Sequence, residues 1–348
     1  MNIEDLLRLA LDRAASDLHL TVGMPPVLRV NGQLTPLEGE KLAPGDTEAV
    51  ARAVLDDGHW AKFNAAGEVD ASYSLPGVSR YRVNAYRQRG CVSIAIRVIP
   101  RRLPGVDELK LPSVLTEMML RQSGLIVING PAGTGKSTSA AALIDYVNQR
   151  EKRNIITLED PIEYLHGHRM SLIDQREIGL DTLTFASGLR SALRQDPDIV
   201  FVGELRDVET MAIALAAAET GHLVLGILHT ADAPQTIERI IDIFPPAQQQ
   251  QVRVQLAMVL LGVVSQRLIP TSDNRGRVPA FEVLVNNPTV ANLIRSDKTH
   301  QIRSVLETSR VAGMQTMEFS LMELVRNGTV TMEAVRKYAA DFVNGGQF

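Results

Sequence analysis

Nine consecutive residues, Gly130-Pro131-Ala132-Gly133-Thr134-Gly135-Lys136-Ser137-Thr138, carry the plainest chemical signal in this chain. They fit the phosphate-binding pattern G-x-x-x-x-G-K-[ST], with Gly130, Gly135, Lys136 and Ser137 at the fixed positions. In such a loop the glycines let backbone N–H groups turn inward around phosphate oxygens, and the helix that follows adds the partial positive charge of its N-terminus. Lys136 reaches the terminal phosphates and Ser137 holds Mg²⁺. A glycine-rich turn with a stray lysine would share the letters but not the flanks. Here Leu125 to Asn129 is a short apolar, β-branched run that predicts a buried strand, and Ser137 to Gln149 predicts an Ala-rich helix.

Carboxylates follow at strand-like ends downstream. After Asn154 to Leu158 come Glu159, Asp160 and Glu163 around Pro161, placed to bind Mg²⁺ through water or to orient an attacking water; the bland alternative is an acidic loop. After Ile199 to Val202 come Gly203 and Glu204, then Arg206 and Asp207. An apolar strand ending in an acid is the second half of a phosphate-loop ATPase site. His222 opens the next apolar run and His229 closes it. A lone histidine in such a run is more often a satisfied core residue, but His229 stands at the strand end where the other groups converge.

These groups need a scaffold of alternating elements. From Ser113 the sequence alternates helices with the strands 125–129, 154–158, 198–202 and 222–228, which predicts a mostly parallel sheet with helices on both faces and ligands at the carboxyl ends of its strands. Helices are expected over Ala233 to Phe244 and Ala247 to Leu268, the latter for its stripe of Leu256, Val259, Leu260, Val263 and Val264, with a last strand over Val278 to Val285. Helix-like segments broken at Gly313 and Gly328 complete the chain, and Gly345-Gly346 is expected to fray.

The first hundred residues have a different pattern. A helix around Ile3 to Leu11 and a strand over Asp17 to Thr21 precede a hairpin, Val27 to Val30 and Gln33-Leu34 around Asn31-Gly32. One helix over Thr47 to Phe63 and three strands, 69–75, 79–88 and 91–99, follow and define a small α+β domain. In the second of these strands Arg80, Arg82, Asn84 and Tyr86 share a face. That face is either a solvated sheet surface or a place from which Arg82, with Arg97 on the next strand, reaches a nucleotide phosphate. The expected division is a domain over 1–99, a Pro-rich linker over 100–112, an α/β domain over 113–285 and a helical region over 286–348.

Composition narrows the function classes. At 348 residues, 45% hydrophobic and 22% charged, with net charge −4, the chain has the make-up of an ordinary soluble protein of two domains. With a pI near 6.0, scattered basic residues, only the small cluster Arg97 to Arg102 and 4% aromatics, nucleic acid is not an expected partner. Cys91 is the only cysteine, so neither an internal disulfide nor a four-thiolate zinc site can form. The longest apolar run, Leu256 to Val264, is far short of the roughly 20 residues that span a bilayer, so membrane association is expected through a partner.

Taken together and in this order, the motifs resemble the bacterial type II/IV secretion ATPase superfamily, most closely its PilT-like retraction ATPases of type IV pili. The residues that carry the likeness are Gly130 to Thr138, Ile155 to Tyr164, Val202 to Asp207, and Thr220-Gly221-His222-Leu223 through Leu228-His229-Thr230. It extends to Ser16 to Leu20, Arg80 to Asn84 and Gly313 to Thr316. The resemblance implies a cytoplasmic homohexameric ring at the inner face of the membrane, each subunit with a PAS-like N-terminal domain and a RecA-like P-loop domain, ATP lying between them. Carried onto this sequence, Lys136 and Ser137 bind phosphates and Mg²⁺, Glu204 is the Walker B acid, and Glu163 with Glu159 and Asp160 is the acidic box. His229 and His222 are the histidine box, and Arg82 and Arg97 are candidate phosphate-sensing arginines.

The implied work is ATP-driven turning of an integral membrane platform protein (PilC-like), so that pilin leaves the fibre base, with a PilU-like paralogue as a further partner. Ala132 and Thr134 depart from the usual family loop at variable positions, and Val290 to Arg295 matches a late family segment in part. A single cysteine and a start in the small domain favour retraction over assembly, and the end at Phe348 favours the principal retraction motor over its paralogue. From other classes, a RecA-like nucleic-acid translocase would share loop and ring, and a nucleotide-sensing module that never hydrolyses would share the loop alone.

Overall fold

The computed structural model describes residues 2–30, 32–100, 102–273, 275–309 and 313–339. Asn31 of the expected hairpin turn, Arg101 of the basic cluster and the Gly345-Gly346 tail lie outside these. The chain divides into two units, Met1–Arg102 with Glu163–Leu165, and Leu103–Ile162 with His166–Phe348.

In the first unit, α1 (Ile3–Asp12), β1 (Asp17–Leu20), the hairpin β2 (Val27–Val30) and β3 (Gln33–Pro36), α2 (Pro44–Val54) and α3 (Asp57–Ala66) precede the meander β4 (Glu68–Leu75), β5 (Ser79–Gln88) and β6 (Cys91–Val98). The six strands pair antiparallel in the order β3-β2-β1-β6-β5-β4. Alternation along β5 sends Tyr81, Val83 and Ala85 into the core with Leu7 of α1, Val50 of α2 and Phe63 of α3. The buried Tyr81 hydroxyl donates to Leu7 O at 3.2 Å. The single helix expected over Thr47 to Phe63 is two. Leu55 is extended (φ −101, ψ 132) and Asp56 caps the second helix by accepting from His59 N, because a short carboxylate competes for free helix N–H groups better than it continues a helix.

The second unit runs α4 (Ser113–Met119), β7 (Gly124–Asn129), α5 (Lys136–Asn148), β8 (Asn154–Glu159), β9 (Leu172–Glu177), α6 (Phe185–Ala192), β10 (Ile199–Val202), α7 (Val208–Glu219), β11 (Leu223–Leu228), α8 (Ala233–Asp242) and α9 (Pro246–Val259). It ends with the strands β12 (Leu260–Pro270) and β13 (Arg277–Val285) and the helices α10 (Pro288–Arg295), α11 (Ile302–Thr308), α12 (Met317–Arg326) and α13 (Met332–Tyr338). Its sheet has the order β13-β12-β7-β11-β10-β8-β9, and every neighbouring pair is parallel except β12 with β13. All six residues of β7 are buried. Leu125 and Val127 pack with residues of α6 to α9 on one face, Ile126 and Ile128 with α4 and α5 on the other, as expected of a parallel strand covered on both sides.

Two departures from the sequence reading matter. The helix expected over Ala247 to Leu268 stops at Val259, and β12 begins at once. Leu256, Leu260, Val263 and Val264 are all buried, so burial on every side gave this stretch an apolar spacing that suits either element; the β-branched Val263-Val264 favours the strand. The edge strand β9 was not anticipated, because its polar Asp174, Gln175 and Arg176 hide the alternation. No helix among the described residues is long and apolar enough to cross a membrane.

Candidate functional site

The loop between β7 and α5 is shaped by its glycines and by β12. Gly130, Gly133 and Gly135 have φ of +146, +75 and +87, conformations that L side chains rarely adopt. At Gly130 an added Cβ would stand 2.4 Å from Gln266 O and 2.9 Å from Thr134 Oγ1. Gln266, buried on β12, also meets the far end of the loop. Its Nε2 lies 3.0 Å from where a Cβ on Gly135 would be, and its Oε1 accepts from Ser139 Oγ of α5 at 2.8 Å. One neighbouring residue therefore gauges the loop at both ends.

Helix α5 begins on Gly135 with no side-chain cap. Thr184, Asp207 and Asp232 cap α6, α7 and α8, whereas α5 presents its first N–H groups beside a glycine-rich turn, the arrangement that receives an anion. The buried Lys136 ammonium donates to Gly130 O at 2.7 Å and Pro131 O at 2.8 Å, and stands 3.3 Å from His229 Nδ1. A buried ammonium folded onto carbonyls of its own loop is a cation matched to a phosphate in the same cradle. Because it can only donate, Nδ1 of His229 accepts and the ring proton sits on Nε2. That nitrogen is 3.4 Å from Glu204 Oε2.

Glu204 follows β10, two strands from β7 in the sheet. Its carboxylate also meets Arg206 Nη2 at 2.5 Å. Burial alone would push the Glu204 carboxyl up, but the hydrogen bond and charge of Arg206, together with the contact from His229, outweigh it and hold the group below the ordinary glutamate value. The Arg206 guanidinium is raised in turn by its bond to Glu204, with a lesser contribution from the charge of Asp160. The second unit thus brings Lys136, His229, Glu204 and Arg206 into one contiguous chain at the carboxyl end of its sheet.

The remaining expected residues are placed as follows. Glu159 ends β8, buried, and accepts from Thr157 Oγ1 at 2.6 Å and Gln175 Nε2 at 3.1 Å. Asp160 is exposed, next to the cis Asp160-Pro161 bond. The exposed Glu163 groups by contacts with the first unit. Arg82 and Arg97 are register partners on β5 and β6; Arg82 pairs with Asp70 at 3.7 Å and Arg97 with Asp17 at 3.0 Å.

His222 does not accompany His229. It precedes β11, at the opposite end of that strand, where its ring contacts Ala217 O at 3.1 Å and its carbonyl accepts from Gly124 N. A strand of six residues rises roughly 3.3 Å per residue, which separates the two histidines by the depth of the sheet. Reasoning from sequence missed Gln266, assigned to a helix, and did not single out Asn129, whose signal was a lone polar residue closing an apolar strand.

For a divalent ion, the Ser137 hydroxyl and the Glu204 carboxylate are hard oxygen donors of the kind Mg²⁺ prefers. No group of three or more His, Cys, Asp and Glu side chains suited to a metal exists among the described residues. The donor set therefore fits an ion that completes its shell with phosphate oxygens and water.

A mostly parallel sheet in which an inner strand feeds a glycine-rich loop, with lysine, acid and histidine meeting at the strand ends, defines a phosphate-loop nucleotide-binding protein. Residues 79–337 match the family model for "Type II/IV secretion system protein", and the chain belongs to that family. It is similar to the "Type IV pilus retractation ATPase PilT" of Pseudomonas aeruginosa, 42% identical over 97% of this chain and 98% of that one. It is also similar to the "Type IV pilus ATPase PilU" of the same organism, 41% identical over 97% of this chain and 89% of that one. The solved structure of "the Pilus Retraction Motor PilT and Bound ADP" superposes with a TM-score of 0.90 at 45% identity, covering 97% of this chain and 96% of that one.

Proposed function

We propose that this chain is a cytoplasmic ATPase motor that drives type IV pilus retraction and the twitching movement that retraction powers. The observation that carries the reading is the continuous contact from the phosphate-loop lysine through His229 to Glu204, on a fold shared with a pilus retraction motor bound to ADP. ATP is the nucleotide hydrolysed. Gly130 to Thr138 cradle its phosphates, Lys136 neutralises the terminal ones, and Glu204, kept ionised by Arg206, accepts the proton of the attacking water or orients it. A Mg²⁺ ion held by Ser137, and through water by Glu204 and Glu163, would neutralise charge on the phosphates. Arg82 and Arg97 are proposed to sense the phosphates from the small domain, and Glu159 and Asp160 to frame the acidic side of the site.

The working form is a homohexamer at the inner face of the cytoplasmic membrane, acting on an integral platform protein. The expected domain division, 1–99, linker 100–112, 113–285 and 286–348, would let hydrolysis move one lobe against the other. Deleting the gene and scoring fibres and surface movement tests the role: more fibres without movement supports retraction, and loss of fibres means assembly. The near-equal identity to PilU supports a second reading, an accessory retraction ATPase working beside a principal one. In that case deletion leaves fibres and unloaded movement intact and weakens only retraction under load.

A further inference from the structure

We propose that Asn129 is a positioning residue for ATP hydrolysis, its side-chain amide fixing the turn that presents His229 to Lys136 and Glu204. The proposal rests on the hydrolytic reading above. Asn129 is the last residue of β7, fully buried, directly before Gly130 and directly after four apolar residues. The β7–β11 ladder ends at the pair Asn129 and Leu228. Beyond it one chain enters the phosphate loop and the other enters the turn 229–232.

The Asn129 side chain continues the link past the last rung. Its Nδ2 donates to Thr230 O at 3.2 Å and to Asp232 O at 3.3 Å. Both partners are carbonyl oxygens, so the amino end of the amide must face the turn. Its Oδ1 is buried and has no hydrogen-bond partner among the described residues. The site uses the donor twice and the acceptor not at all, which aspartate, of nearly the same shape, cannot reproduce.

The far side of the turn is tied down separately. Asp232 caps α8 by accepting from Gln235 N, Thr230 and Thr236 share a hydroxyl contact of 2.6 Å, and Glu282 accepts from Ala233 N. On the near side, the imidazole of His229 is 45% exposed, and the polar contacts recorded for it are those to Lys136 and Glu204. Where the ring stands therefore follows from the backbone it hangs on, and Asn129 registers that backbone against the strand that carries the phosphate loop. A side chain acting in this way affects the chemical step through His229 and leaves the cradle itself intact.

The test compares wild type, Asn129→Asp, Asn129→Ala, Asn129→Ser, His229→Ala and the Asn129→Asp/His229→Ala double variant for phosphate release, affinity for a non-hydrolysable ATP analogue, and melting temperature. Asn129→Asp is expected to lower kcat about tenfold while analogue affinity stays within about threefold, and to cost less than about twofold more once His229 is already alanine. A full further loss in the His229→Ala background, a parallel loss of analogue affinity, or an unchanged kcat would each overturn the proposal. A melting temperature that falls with kcat restored by Asn129→Ser, which keeps one donor, supports positioning; unfolding of every Asn129 variant, with nothing left to couple to His229, overturns it. Wild type that binds the analogue but releases no phosphate takes down the hydrolytic reading and this inference together, whereas active wild type with indifferent Asn129 variants removes the inference alone.

Discussion

His229 Nε2 lies 3.4 Å from Glu204 Oε2, and the same ring reaches the lysine of the phosphate loop through its other nitrogen. A single imidazole therefore spans from the group that holds phosphate to the group suited to activate water. Replacing His229 by alanine is expected to lower kcat more than it raises the KM for ATP, measured by steady-state phosphate release, because the ring bridges two binding groups without belonging to the cradle.

Lys136→Ala is expected to abolish turnover and to weaken nucleotide binding, read by calorimetry and phosphate release. The phosphate charge would then lose its compact cation in a buried site. Turnover at the wild-type rate would remove the ATPase assignment.

Glu204→Gln should behave differently. The amide keeps the size and the contact to Arg206 but cannot take a proton, so hydrolysis is expected to fall about a hundredfold with nucleotide binding retained. Arg206→Ala bears on the same carboxylate. Arg206 and His229 hold Glu204 below its ordinary value against the pull of burial. Removing the guanidinium raises the folded-state pKa, so the acid limb of the pH–rate profile should move to higher pH.

Gly130→Ala is expected to destabilise the protein by about 1–3 kcal/mol and to impair nucleotide binding, measured by thermal denaturation and analogue affinity. Its φ is +146, and the added carbon would stand 2.4 Å from a backbone oxygen of β12 that cannot swing away. Gly133→Ala is less severe by the same reasoning, since nothing lies within 4 Å of its new carbon and only the backbone conformation opposes it.

Glu282 supplies a pH prediction away from the nucleotide. It is buried on β13, and burial, aided by the charges of Asp232 and Glu318 and opposed by its bonds from Ala233 N and Ser265 Oγ, pushes its carboxyl up to about 7. A raised acid means that the folded state holds the proton more tightly than the unfolded state. Stability from this group is full below the unfolded value near 4.5 and falls as pH rises toward 7, by about 1.4 kcal/mol per pH unit crossed. Glu282→Gln should remove that decline, so its melting temperature relative to wild type should improve from pH 5 to pH 7.5.

What the sequence made legible was whatever depends on local spacing. Gly130 to Thr138 needed only its own letters and the apolar run before it, and Glu204 and His229 followed from the rule that parallel strands end where ligands gather. Gln266 was illegible because its strand reads as the continuation of a helix, and its partner Ser139 is 127 positions away in the chain. The two-helix break at Asp56 was written in the sequence as a capping residue, but the apolar spacing on either side overrode it. His222 and His229 stood at the two ends of one strand in the sequence as they do in the structure, but a repeated residue type at both ends says nothing about which end faces the ligand.

The grip of β12 on the phosphate loop bears on how such a motor would cycle. With Gln266 wedged against Gly130 at one end and beside Gly135 at the other, the form of the cradle is braced by protein neighbours. Little of the affinity for nucleotide is then spent on ordering the loop. That affinity is left over to bias whatever parts of the protein rearrange between the loaded and the spent condition, which is where a machine of this kind must deliver its force.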